Sequence, residues 1–304
     1  MGFVGFGIRI RSSGFGLLRS VVTGALVGAA MSALVLLYAG AVAGLARQWT
    51  SSPDASYGFI LLVVAIAIAW QRRRQFASAI DPRASSRGGL AVLTIGLLVY
   101  LTGLLGADVY LTRASLVGVL AGALWFLFGA RAARIMAAPF VFLLLAIPLP
   151  SILVNGVTLP LQFVASYVAE SALALTGVPV YREGNVLMLP STTLEVAEAC
   201  SGLRSLVSLA AVGAVLAWAA ERSAFRRALL VLLTIPIAIA MNGLRIAATG
   251  LACVAWGSHV ASSGWHTFTG WITFVVSTAA LVQAQRMLGR SRAPRLEQAL
   301  RAAA

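Results

Sequence analysis

Residues 152–176, ILVNGVTLPLQFVASYVAESALALT, admit two readings, and the side of every later segment depends on the choice. The stretch is long and apolar enough to cross a bilayer, since a spanning helix needs about 20 apolar residues. It also carries Asn155, Pro160, Gln162, Ser166 and Glu170. Gln162, Ser166 and Glu170 recur at every fourth position, which draws one polar stripe along a helix. A helix with such a stripe can lie in the membrane interface instead of spanning.

The chain around it has 304 residues, 60% of them hydrophobic and 11% charged, with a mean hydropathy of +0.92. A soluble domain carries roughly 25% charged residues, so this composition cannot cover a water-facing surface. It excludes a cytosolic enzyme, a disordered chain and a secreted disulfide scaffold. The length suits roughly eight to ten spans with little room for a soluble domain. Arg9, Arg11 and Arg19 precede a first run, Val21–Leu45, which is too long for a signal peptide. Its GALVG (24–28) and GAVAG (40–44) pieces place small residues four apart and permit close helix packing. Further runs are Gly58–Trp70, Gly89–Leu105, Ser115–Phe128, Ile135–Leu149, Ser201–Ala220, Ala228–Trp256 and Thr267–Met287. The second and fourth runs are short and extend into their flanks, and the fifth ends at the prolines of IPLP (147–150).

Arginine positions choose between the two readings. All 23 basic residues are Arg. If 152–176 does not span and the N-terminus is cytoplasmic, 18 of them fall in cytoplasmic segments: Arg9, 11, 19, 72–74, 83, 87, 131, 134, 222, 226, 227, 286, 290, 292, 295 and 301. Arg47, Arg113 and Arg182 fall outside, and Arg204 and Arg245 lie within apolar runs. If 152–176 spans, the split becomes 11 against 10 and the positive-inside bias vanishes. The expected fold is therefore an all-α polytopic membrane protein. It has about eight transmembrane helices, an interfacial helix over 152–176, and a short outer-face hairpin with its turn at Glu183–Asn185. The whole of 1–304 forms one integral membrane domain with both termini cytoplasmic.

The same pattern accounts for the net charge of +14 without nucleic acid. The two cysteines, Cys200 and Cys253, make neither a disulfide framework nor a CxxC metal spacing. Nothing implies a metal or an organic cofactor. The bilayer is the one partner that composition dictates, and the oligomeric state stays open.

This topology carries Cys200, Arg245 and His266 to similar depth on the outer side, at the ends of three different spans. Taken singly, each has a plain reading: a packed thiol, a snorkelling guanidinium, an interfacial imidazole. Together they form a reactive set. An ionisable residue within a span costs about 2.5–3.5 kcal/mol on insertion scales, which gives Arg204 and Arg245 a reason to exist beyond packing. With Cys200 at a helix start, Arg204 at i+4 shares its face, as Asn242 at i−3 shares that of Arg245. A helix N-terminus and nearby guanidinium groups favour the thiolate. A histidine moves the proton near neutral pH, and His259 in the same outer loop rivals His266 for that role. An arginine can stabilise the oxyanion formed by thiolate attack on an amide. Cys253 has no charged neighbour in sequence and reads as packing.

The run LEVAEACSGLRSL (194–206), followed by NGLR (242–245) and HTFTGW (266–271), resembles the exosortases, bacterial relatives of the archaeosortases. FLLLAIPLP (142–150), GVPVYREGNVLMLP (177–190), PDASYGFILLV (53–63) and WQRRR (70–74) support the resemblance, which covers roughly 47–286, with 177–286 as the catalytic half. It implies a multi-pass inner-membrane cysteine peptidase or transpeptidase whose active site faces the periplasm. Its partners would be exported proteins with a C-terminal signal of the PEP-CTERM type: a short motif, a spanning helix and a basic tail. The family's catalytic residues fall on Cys200, Arg245 and His266, with Glu198, Arg204 and Asn242 in supporting positions. His259 lacks the glycine that follows His266 at Gly270. Ser56-Tyr57-Gly58 stands where relatives often have Ser-His-Gly. The resemblance also suggests a link to exopolysaccharide and surface assembly. The competing readings are a multi-pass transporter and a non-catalytic component of exopolysaccharide export.

Overall fold

The computed structural model describes residues 13–52, 55–81, 87–197, 201–221, 223–257 and 264–290. They form nine helices and one small sheet: α1 Ser13–Ser51, α2 Tyr57–Ala79, α3 Arg87–Leu105, α4 Val109–Ile135, α5 Ala137–Leu145, α6 Ser151–Leu175, β1 Tyr181–Glu183, β2 Val186–Leu189, β3 Thr192–Glu195, α7 Leu203–Ala220, α8 Ala224–Trp256 and α9 Gly264–Arg290. Seven helices among the described residues are long and apolar enough to cross a membrane: α3, α4, α6, α7, α8, the part of α1 from Gly28 and the Thr267–Leu288 part of α9. The protein is an all-α polytopic membrane protein. The second and fourth apolar runs do extend into their flanks, as α2 and α4.

The fifth apolar run is built differently from the sequence expectation. Gly129 (φ 87, ψ 166) breaks α4, and residues 130–145 then climb back beside α2. Two contacts fix this path. Arg72 Nη1 donates to the Ile135 carbonyl at 2.7 Å, at the arginine-rich end. Trp49 Nε1 donates to the Ala146 carbonyl at 3.0 Å, at the opposite end. Phe142 and Ala146 join Trp49, Ala55, Tyr57, Leu61, Ala65 and Ile68 in one buried cluster. The arginine-rich WQRRR segment extends α2 beyond its apolar part.

α6 takes up the reading left open at 152–176. Composition alone lets it cross, but its neighbours place it along the far part of α8. A Cβ at Gly243 would strike Val168, and one at Gly250 would touch Leu173 at 3.4 Å, so the two helices run in parallel there. Gly243 lies 19 residues into α8, about 28 Å of rise, which already spans a hydrocarbon core of about 30 Å. Residues 165–173 therefore lie beside the far part of α8. The polar stripe does not face water. Gln162 and Ser166 are buried, Ser166 Oγ donates to the Gly184 carbonyl at 3.0 Å, and Arg182 Nε meets Glu170 Oε2 at 2.7 Å. The exposed face is apolar instead, with Phe163, Val164, Tyr167 and Leu175.

The expected hairpin is a three-stranded antiparallel sheet in the order β1-β2-β3. Glu183 pairs with Val186 and Leu189 with Thr192. Gly184 (φ 62) occupies the first position of the two-residue β1–β2 loop, where positive φ matches strand twist. Leu187 and Leu189 pack with Ala165, Ala169, Leu173, Ile246 and Ala247, joining sheet, α6 and α8 in one cluster.

Among the described glycines of the two α1 pieces, the close helix contact that they permit is not made. Gly28 and Gly40 face open space, and only Gly44 is approached, by Arg113 Nη2 at 3.4 Å. The close pair is α3–α4. Gly89, Gly96 and Gly103 repeat every seven residues, and a Cβ at each would meet Phe126, Val119 and Thr112 in turn.

α7, α8 and α9 form a second bundle around Leu209, Ala217, Leu230, Ala238 and the fully buried Leu281. At its arginine-rich end Gln285 Nε2 donates to Glu221 Oε1 (3.2 Å) and Arg227 Nε to the Glu221 carbonyl (2.7 Å).

Candidate active site

The residue Cys200 lies outside the described residues, as do Glu198 and His259, so the site is built from what flanks them. α7 begins at Leu203, and Gly202 stands at its N-cap with φ 85. The expectation that Cys200 and Arg204 share a helix face is thereby corrected: Ser201 and Gly202 are not helical, and the left-handed glycine turns the chain between them. Glycine is required there for two reasons. Positive φ strains any other residue, and a Cβ would meet Asn242 Cγ at 2.8 Å. Ser201, directly after Cys200, is buried.

Asn242 is 1% exposed and sits one turn before Arg245 on α8. The Gly202–Asn242 contact therefore seats the chain that follows Cys200 directly against the Arg245 segment. Arg245 is half-buried, and its Nη2 is buried with no hydrogen-bond partner among the described residues. A buried donor left so costs about 1–3 kcal/mol. A Cβ at Gly270 would stand 3.7 Å from Arg245 Nη1. Gly270 lies one turn beyond His266, which the backbone places in the first turn of α9; nothing of the His266 side chain is described. Trp265 packs edge-on against Trp256, centroids 6.3 Å apart, tying the start of α9 to the end of α8.

The structure thus brings three segments together at one end of the second bundle: the chain after Cys200, the Asn242–Arg245 turn and the start of α9. Arg204 stands in the first turn of α7, exposed, and lines a cavity of about 540 Å³. One side of that cavity comes from Gln48, Ser52, Ala55, Tyr57, Pro148 and Leu149. The other comes from Val154, Thr158, Ser201, Leu203, Arg204 and Val207. It occupies the seam between the two halves of the molecule. Gln48 is held by a hydrogen bond from Arg113 Nη1.

The sequence profile described as transmembrane exosortase matches residues 49–282. The chain belongs to the transmembrane exosortase family. No curated protein and no solved structure matches it significantly. The match covers α2 through most of α9, so both walls of the seam and all three converging segments belong to the exosortase region, Gln48 excepted. Exosortases are membrane proteases and transpeptidases with a role in protein sorting, which makes this protein a multi-pass membrane enzyme of that general kind.

For this exosortase, sequence reading did not reach Gln48, Arg113, Thr158 or the seam cavity. Those residues are scattered over more than 100 positions and share no motif. Gly202 did carry a signal, since a glycine just before a helical run marks a backbone position with positive φ. Cys253, read as packing, is fully buried in α8. Among the described residues no cluster of three or more His, Cys, Asp or Glu could hold a metal.

Proposed function

We propose that this exosortase is a membrane-embedded cysteine peptidase or transpeptidase, with Cys200 as nucleophile, His266 as general acid and base, and Arg245 beside the reacting carbonyl. The observation that carries the reading is the convergence of Gly202 on Asn242 and of Gly270 on Arg245. Those contacts draw together the segments on which the three residues lie.

In this mechanism His266 takes the Cys200 proton, and the thiolate sulfur attacks the scissile carbonyl carbon. The carbonyl oxygen becomes an oxyanion, which the Arg245 guanidinium stabilises or which forms while Arg245 orients the substrate. Collapse re-forms the carbonyl, breaks the C–N bond, and the leaving amine takes the proton from the His266 imidazolium. The product is a thioester on Cys200, which water or another nucleophile resolves. Asn242 and Gly202 support the geometry by fixing how α7 meets α8. Glu198 and Arg204 flank the nucleophile in sequence.

The substrates in this reading are exported proteins ending in a PEP-CTERM-like motif, a spanning helix and a basic tail. Cutting takes place on the periplasmic side of the inner membrane, with both termini of the enzyme cytoplasmic and 177–286 as the catalytic half. The role is in surface and exopolysaccharide assembly. The test is a gel shift in cells: a tagged protein with a candidate signal, co-expressed with wild type or Cys200→Ala. A shortened product with wild type alone is expected. Equal processing by Cys200→Ala would refute a cysteine mechanism.

A further inference from the structure

The small sheet has two edges, and they differ. α6 lies against the β1 side, where Ser166 Oγ donates to the Gly184 carbonyl and Glu170 holds Arg182. On the β3 side no described residue adds a strand, since the sheet ends there in the order β1-β2-β3. The ladder tells which groups face that open side. Val196 N donates to the Asn185 carbonyl at 2.9 Å, and the register sets Leu194 opposite Leu187 and Thr192 opposite Leu189. Bonded and non-bonded pairs alternate along an antiparallel ladder. Thr192, Leu194 and Val196 therefore bond to β2, while Thr193 and Glu195 turn their main-chain groups to the open edge.

Both residues are exposed. Among the described residues no hydrogen bond reaches the Thr193 N–H, the Thr193 carbonyl or the Glu195 N–H. The Glu195 carbonyl is taken by Ala197 N at 3.0 Å. A row of unpaired main-chain groups is a template for another extended chain. The strand is held in place from behind. Leu194 and Val196 pack with Leu187, Ile246 and Ala247, and Asn185 Nδ2 donates to the Val196 carbonyl at 3.2 Å. Its four residues make it too short to template a large sheet, yet long enough to hold one peptide. Position names the occupant. Cys200 follows Glu195 by five residues, or about 17 Å of extended chain. A strand laid on this edge reaches the nucleophile within a few residues.

We propose that β3 is the docking edge for the substrate: an extended stretch of the exported protein, close to its scissile bond, pairs with Thr193 and Glu195 as a fourth strand. Main-chain hydrogen bonds supply the affinity in binding of this kind. The Thr193 and Glu195 N–H groups donate to two substrate carbonyls, and the Thr193 carbonyl accepts one substrate N–H. In the proposed topology β3 leads through Cys200 into α7 and the membrane. A substrate whose spanning helix follows its cut site runs the same way, so the pairing is parallel. The inference rests on the peptidase reading for what the edge serves. It adds that these bonds ignore side-chain identity: they set the register and direction of the substrate and leave selection to other contacts.

Proline at position 193 tests it. The Thr193 N–H faces the open edge, where a strand tolerates proline, so Thr193→Pro should keep the thermal midpoint of purified full-length protein. With the tagged signal protein of the gel shift, Thr193→Pro should process about tenfold more slowly than Thr193→Ala, which keeps the N–H. That is the scale of one main-chain bond lost. Leu194→Pro, whose N–H belongs to the ladder with β2, should instead lower the midpoint. A photo-crosslinker reads docking apart from cleavage. Benzoylphenylalanine replaces Thr193 or Glu183 in the Cys200→Ala protein, co-expressed with the same signal protein. Crosslinks are expected from position 193 and not from position 183 on the far strand. Equal processing by Thr193→Pro and Thr193→Ala, or equal crosslinking from the two positions, would overturn the proposal. Cys200-dependent cleavage that persists through that result would leave the peptidase reading standing and the edge alone lost. Crosslinking confined to position 193, with cleavage that survives Cys200→Ala, would sink the peptidase reading alone.

Discussion

Arg245 works against stability, and in the proposed mechanism it does so for function. Its Nη2 is buried without a hydrogen-bond partner among the described residues, in a helix with neither Asp nor Glu along its length. Replacing a buried charge by an apolar side chain of similar volume is often neutral or stabilising. Arg245→Met is therefore expected to hold or raise the thermal midpoint in detergent while abolishing signal cleavage in cells. A midpoint lowered by several degrees would mean that Arg245 is a structural cation. Arg245 was legible in sequence because a basic residue inside an apolar run carries an insertion cost that calls for a reason. Cys200 and His266 stood out only in combination with it. Gln48 and Thr158 gave no such signal, because an ordinary polar residue near a helix end acquires meaning only from what the tertiary fold puts opposite it.

At the scale of elements, sequence reading found the stripes and missed their partners. The Gln162-Ser166-Glu170 stripe is real, yet it anchors the sheet through Gly184 and Arg182, because amphipathicity records that a face is polar and not which polar surface meets it. The third strand escaped notice because the sequence reading ended the hairpin before Thr192–Glu195, which pairs with β2. The small residues of α1 suggested tight packing, whereas the glycines at 89, 96 and 103 provide it. Seven-residue spacing keeps them on one face of α3. Gly96 has Val119 Cγ2 2.9 Å from where its Cβ would stand, while Gly40 has nothing within 4 Å. Gly96→Leu should then cost about 1–3 kcal/mol through overpacking and lower the thermal midpoint of purified protein. Gly40→Leu should stay within about 0.5 kcal/mol, as an exposed change does. Equal shifts for the two variants would show that α3 and α4 can separate without loss.

For the whole molecule, we propose the topology that the arginine distribution predicts, in which α6 does not cross. Charge counting needs one crossing between Phe128 and Gly177. The structure offers two candidates, 130–145 and α6. Residues 130–145 run from the Arg72 contact at one end to the Trp49 contact at the other, so in this topology they make that crossing. α6 begins beside Ser201 and Leu203 at the cavity and continues beside Gly243 and Gly250, and the proposed topology keeps both of its ends at the same end of the bundle. Single cysteines test this in a Cys200→Ala, Cys253→Ala background, labelled in intact cells by a membrane-impermeant maleimide. Leu105→Cys and Thr176→Cys, both exposed at the arginine-poor end, should label together. Ser78→Cys and Ser223→Cys, exposed at the other end, should label only after permeabilisation. Labelling of Thr176→Cys with the Ser78 group would mean that α6 crosses. Gly202 and Asn242 would then stand on the cytoplasmic side, where an exported substrate could not reach Cys200.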